Sequence, residues 1–216
     1  MGSTAHERFT QIHGRGLRMV EVSIDLWKLK NQTTKSPTDK EYNEDRVLPD
    51  MGRAGIVIAV SAMDDYFTRR FAECVVPLLK SRKFSKKLTN FLGDCGLDVS
   101  AALELLTMER PYRRIRKLVD DHLSRHTTQR FKAIDSLYEK TGLSGFSAGI
   151  EKRTKRRQLK VSVEKLVERR HDIVHKGDMN FNGRVSDLSY KQAIKRIEDA
   201  KLFVDTAEEI IAARMK

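Results

Sequence analysis

In the string Arg169-Arg170-His171-Asp172-Ile173-Val174-His175-Lys176-Gly177-Asp178, two residue types that handle phosphate chemistry stand five apart. An imidazole is the side chain that takes up and releases protons near neutral pH, so His175 can accept a hydroxyl proton or give one to a leaving oxygen. A guanidinium presents a planar fork of donors that stays charged, so Arg170 can hold phosphate oxygens as negative charge builds on them. Projected as a helix, Leu159, Val163, Leu166 and Val174 share one face, and Arg170 falls in the middle of it. A guanidinium on an apolar seam needs a carboxylate, a phosphate or a partner chain. Residues five apart on a regular helix lie about 140° from one another, so Arg170 and His175 do not share a face. One site from one chain then requires the helix to end or distort before His175.

His171 and His175 do share a face, which invites a metal. Zinc would need a third protein ligand, and no Glu stands between the histidines in the zincin arrangement. We therefore expect no metal and no other cofactor, with His171 helping at a phosphate or lying exposed. Cationic side chains near the motif are candidates to contact the phosphates of a nucleic acid: Arg169 and Lys176 beside it, Arg156 and Arg157 on the approach, and Arg113 and Arg114 flanking Tyr112, a candidate stacking platform.

These residues must be positioned by helices. Apolar residues recur at three- and four-residue steps through most of the chain, and strand patterns are few. The spacing predicts a helix over about 15–30, a polar loop over 31–49, and a long core helix from a cap at Asp50, with Ile56, Val60, Met63, Phe67, Phe71, Cys74 and Leu78 on one face. Asp98 or Ser100 begins a short helix, Pro111 starts another, and Thr127 or Thr128 caps a third that stops before Gly142. Two long helices close the pattern, 147–176 with Gly177 as its C-terminal cap and 187–214. The expectation is an all-α protein, an antiparallel helical bundle with an additional N-terminal helix, organised as residues 1–49 and a helical domain over 50–216.

Composition narrows the function. The 216 residues carry 42 Lys and Arg against 30 Asp and Glu, a net +12, which points to a polyanionic partner. The longest apolar run, Ala54 to Val60, is far short of the ~20 residues that span a bilayer. No apolar leader is present in the first residues, so a cytoplasmic location without membrane attachment is expected. Cys74 and Cys95 form no disulfide framework or zinc spacing. Phe91, Phe131 and Phe146 read as core, and His122 and His126 as surface residues.

Arg170, four intervening residues and His175, with a polar residue after the Arg and an apolar pair before the His, resemble the signature of the HEPN superfamily, especially its RiboL-PSP-HEPN-like branch. Upstream, Ser61-Ala62-Met63-Asp64-Asp65-Tyr66 is similar to that family's early core helix. The resemblance covers about residues 50–214. It implies a small HEPN-like helical bundle acting as a metal-independent endoribonuclease, in a toxin or antiviral defence role. RNA would be cut by its own 2′-hydroxyl to leave a 2′,3′-cyclic phosphate and a 5′-hydroxyl. It implies Arg170 and His175 as catalytic residues, with Asp64 holding Arg170 or orienting His175, and a homodimer whose two motifs meet in one cleft. An antitoxin or a defence complex is the implied partner. The alternative is a non-catalytic HEPN-like module that binds RNA or nucleotides or mediates assembly. A branch of the family carries a modifiable Tyr two residues after the motif His; Gly177 stands there in this chain, which argues against control by that route.

Overall fold

The structure is a computed structural model and describes residues 2–45, 47–82, 84–125 and 128–215. Helices take up about three quarters of these residues, and no strand occurs among them, so the protein is all-α as expected. In chain order the helices are α1 (Thr4–Lys30), α2 (Asp39–Glu44), α3 (Leu48–Lys80), α4 (Lys86–Asp94), α5 (Val99–Leu105), α6 (Pro111–Leu123), α7 (Phe131–Glu139), α8 (Phe146–Thr154), α9 (Leu159–Lys176) and α10 (Tyr190–Met215). Among the described residues no helix is long and apolar enough to cross a membrane.

Several boundaries follow from recognisable local chemistry. Asp98 caps α5 by accepting from the Ala101 amide at 2.8 Å, and Pro111 occupies the first turn of α6. α4 was not anticipated; Ser85 caps it. Thr127 and His126 lie outside the described residues, and Arg130, without a side-chain cap, precedes α7. The 31–49 segment is more ordered than a polar loop. Thr38 and Glu41 form a reciprocal capping box that starts α2, and this buries Tyr42. The Tyr42 hydroxyl donates to Leu48 O at 2.9 Å and lies 2.6 Å from Ser23 Oγ, so the segment is tied down at both ends.

The predicted helix over 147–176 is two helices. Lys155 and Gln158 both take left-handed backbone conformations, with φ 53 and 64. Nothing apolar holds the chain between Ile150 and Leu159, and a continuous helix would set Lys152 beside Arg156 and Arg153 beside Arg157, like charges four apart. Breaking the helix there lets Arg156 turn to the buried Asp199, at 2.5 Å.

By internal contacts the chain divides into two units, and α1, α3 and α10 each supply residues to both. The first comprises residues 2–6, 64–155 and 206–215. Its core is aromatic: Phe67 meets Tyr66, Tyr138 and Phe146 edge-on, and Phe71 does the same with Phe91. Glu208 is buried there with Arg70 at 2.8 Å and the Tyr66 hydroxyl at 2.9 Å. Phe91, Phe131 and Phe146 are core residues as expected, and His122 sets its ring edge-on to Phe91 instead of standing free.

The second unit comprises residues 7–63 and 156–205. Here α1 and α3 cross so closely that a Cβ on Gly16 would lie 2.7 Å from Gly55 O, and one on Gly55 would lie 2.5 Å from Gly16 O. Only glycines permit two helix backbones to touch in this way. Phe9, Val20, Ile56, Leu159, Val163, Leu166, Ile197 and Phe203 form the core of this unit.

Candidate functional site

α9 carries the Arg-x4-His motif, and burial along it is uneven. Leu159, Val163 and Leu166 are buried, which in transfer terms contributes roughly 5–9 kcal/mol of anchoring. No residue of α9 after Leu166 is buried. The helix is thus fixed by its first half and presents its last two turns, with the motif, at the surface. Val174, expected on the apolar face, is 46% exposed.

The helix runs unbroken through His175 to Lys176. Arg170 and His175 therefore stay about 140° apart around one cylinder, and the distortion that a single-chain site requires does not occur. His171 and His175 are both exposed, with ring centroids 4.5 Å apart at a 45° tilt. Among the described residues no three His, Cys, Asp or Glu side chains converge as ligands for a metal ion.

Arg170 is half-buried. Its Nε is buried with no hydrogen-bond partner, and no ion pair reaches the guanidinium among the described residues. A carboxylate-bound core arginine is thereby excluded within the described structure. A buried, unsatisfied charged donor costs free energy unless something meets it. Among the described residues no acceptor meets the Arg170 guanidinium.

Arg169 differs. Its Nη2 donates to Asp178 Oδ2 at 2.7 Å and to the carbonyls of Ser186 and Asp187 at 3.1 and 3.0 Å. Desolvation lowers its pKa, opposed by the Asp178 charge. Arg169, expected as an RNA contact, is tied through Nη2 to the protein's own structure. Asp178 is the hub: its Oδ2 also accepts from Arg53 Nε at 2.6 Å, and Arg53 Nη2 donates to Ser186 O at 2.7 Å. Sequence reasoning missed this role, because Arg53 lies on α3, far away in sequence. The available signal was Gly177-Asp178, a pair suited to left-handed backbone, and both residues adopt it.

Asp178 thereby clamps a short hairpin that follows the motif. Met179 and Val185 form a bridge, Asn180 N donates to Arg184 O at 2.7 Å, and Gly183 turns the chain with φ 69. Phe181 stands at the tip with its side chain fully exposed, and Met179 and Val185 are each 51% exposed.

The other expected contacts divide. Lys176 pairs with Asp172 at 2.8 Å across one turn of exposed helix, a weak tie that leaves its charge at the surface. Arg156 is paired to Asp199, whereas Arg157 is exposed. Arg113 and Arg114 are exposed on α6 and belong to the first unit, as does Tyr112, whose ring takes the Lys80 ammonium at 5.1 Å from its centroid. Asp64 also belongs to the first unit. Its Oδ1 accepts from the Thr128 amide and hydroxyl at 2.5 and 2.7 Å, and its Oδ2 from Gln129 Nε2 at 3.1 Å. Both carboxylate oxygens are engaged in anchoring the 128–129 segment.

The site is thus an unpaired arginine and an exposed histidine on one helix of an all-α chain. Residues 23–213 match the RiboL-PSP-HEPN family, and the chain belongs to it. The match begins inside α1, so it takes in part of the 1–49 segment set apart on sequence grounds. No curated protein and no solved structure matches the chain.

Proposed function

We propose that the protein is an endoribonuclease that cleaves RNA by attack of a 2′-hydroxyl on the adjacent phosphorus, and that it acts as a homodimer. The observation that carries the reading is Arg170: a half-buried guanidinium with an unsatisfied Nε, five residues before an exposed imidazole on the same helix. Arg170 donates to the non-bridging oxygens as charge develops on the pentacoordinate phosphorus. One His175 takes the 2′-hydroxyl proton while the 2′-oxygen forms its bond to phosphorus. The bond to the 5′-oxygen breaks, and a second His175 protonates that oxygen. The products are a 2′,3′-cyclic phosphate and a 5′-hydroxyl, no water is consumed, and side chains supply both proton transfers and the charge stabilisation.

The second imidazole comes from a second copy of the chain. Two motifs facing one another bring together the Arg170 and His175 pairs that the unbroken α9 holds apart on one copy. Val174, Met179, Phe181 and Val185, exposed beside the motif, give such an interface its apolar surface. Asp64 takes no part in the reaction, and Arg169 acts through Asp178 to hold the hairpin. A cytoplasmic growth-arrest or defence role, restrained by an antitoxin or an assembly partner, fits a nuclease of this family.

The test is cleavage of total cellular RNA in EDTA by the wild-type protein, Arg170→Ala and His175→Ala, with end-group analysis. We expect cyclic phosphate ends from the wild type and a loss of at least a hundredfold in each variant. Equal behaviour of all three, with folding and oligomeric state unchanged, would replace this reading with a non-catalytic RNA-binding module.

A further inference from the structure

A cleft of about 310 Å³ lies within the second unit, between the start of α9 and the first turns of α10. Five cationic side chains line it, Arg156, Arg157, Lys165, Lys195 and Arg196, against one carboxylate, Asp199. Asp199 does not repel an anion there. It is buried, ion-paired to Arg156 at 2.5 Å and hydrogen-bonded by Ser162 Oγ at 2.6 Å. Arg196 leans on Gln192 through one hydrogen bond of 3.0 Å. Arg157, Lys165 and Lys195 make no hydrogen bond or ion pair among the described residues. These three are left unpaired around a concavity.

The cleft continues. Gln192 and Arg196 also line an adjoining hollow of about 250 Å³ that reaches Leu166 and Arg169. Leu166 lies one turn before Arg170, about 40° from it around α9. The groove thus follows the helix from the α8–α9 break towards the motif. An isolated phosphate would use one point of such a groove. A polymer with a phosphate at every residue can use its whole length.

We infer that this groove is a second RNA-binding site, in which Arg157, Lys165 and Lys195 hold backbone phosphates of single-stranded RNA to one side of the phosphate placed at Arg170. The inference rests on the nuclease reading for its substrate but not for its evidence. Lys165 and Lys195 supply mobile point charges and Arg157 a fork, a set that grips the backbone without reading bases. The site then sets affinity and the direction in which the strand leaves the motif.

The test is binding of a fluorescein-labelled, mixed-sequence single-stranded RNA to the full chain, followed by anisotropy across a salt series. His175→Ala serves as background so that the ligand survives. The triple change Arg157→Gln, Lys165→Gln, Lys195→Gln affects exposed side chains and leaves the Asp199 pair in place. We expect affinity to fall at least tenfold, and the slope of log affinity against log salt to become shallower by about 2, at about 0.7 per lost phosphate contact. A charge-matched control, Lys35→Gln, Lys40→Gln, Lys86→Gln, should move neither by much. An equal effect in both triples, a change under twofold in the groove triple, or no RNA binding by the background protein would each overturn the inference. If wild type cleaves RNA while the groove triple keeps full affinity, the groove falls alone. If the groove triple loses affinity while wild type cleaves nothing, the nuclease reading falls and the groove stands.

Discussion

Replacing Asp178 by alanine should destabilise the protein far more than a typical surface change. The carboxylate is 1% exposed and its Oδ2 accepts from both Arg53 Nε and Arg169 Nη2, at 2.6 and 2.7 Å. Removing one partner of a buried ion pair costs about 3–5 kcal/mol, because the remaining charges are left uncompensated. Asp178 also has φ 57, where the Cβ of aspartate or alanine costs about 1–2 kcal/mol that glycine escapes. The expected loss for Asp178→Ala is therefore about 3–5 kcal/mol, against a total stability on the order of 5–15 kcal/mol. Asp178→Gly should recover roughly 1 kcal/mol of this. Asp178→Asn keeps an acceptor and tolerates the backbone, so it should fall between Gly and wild type. Urea unfolding followed by far-ultraviolet circular dichroism measures all four proteins, and unchanged slopes would show that stability alone has moved. An Asp178→Ala protein within 1 kcal/mol of wild type would refute the clamp, as would a glycine variant weaker than the alanine one.

Three other outcomes follow from the packing. Gly16→Ala should prevent the close approach of α1 to α3, since the methyl would meet backbone atoms at 2.7 and 2.9 Å; we expect at least about 2 kcal/mol of destabilisation in the same assay. His13 is buried with its Nε2 2.9 Å from Ile197 O, and desolvation holds its pKa below 6.5. The folded state thus binds fewer protons than the unfolded one, so this contribution is complete above about pH 6.5 and is lost as the pH falls below it. Stability measured between pH 8 and 5 should decline less in His13→Gln than in wild type. Deleting residues 1–49 should leave a chain without cooperative unfolding, because it removes Phe9, Val20, Ile24 and Tyr42 from the core of the second unit; a sharp thermal transition in the truncated protein would contradict this.

What the sequence reveals and what it hides divides along physical lines. Gly177 ends α9 where its freedom at positive φ predicts, and Asp98 and Pro111 mark their helices, because each of these signals is local. The α8–α9 break is harder to see, since Lys155 and Gln158 adopt left-handed backbone without being glycine, and Arg156 between them meets Asp199 only through tertiary folding. Thr38 and Glu41 did carry a legible capping box, outweighed by the polar composition around them. At the site, the misplaced guanidinium of Arg170 was readable from periodicity, and the structure shows it unpaired. The duties of Arg169 and Asp64 were not, because Asp178, Thr128 and Gln129 reach them only through tertiary folding.

The second unit draws on residues 7–63 and 156–205, and the intervening stretch builds the first unit, which itself needs residues beyond 205. Chain growth proceeds in one direction, so a nascent polypeptide that has just exposed residue 175 to the cell still lacks Asp199 and all of α10. Its α9 has nothing to seat Ser162 and Arg156, and its earlier helices wait with open cores. The order of synthesis by itself therefore keeps the second unit, with the motif on it, unassembled until nearly the whole described chain has left the ribosome.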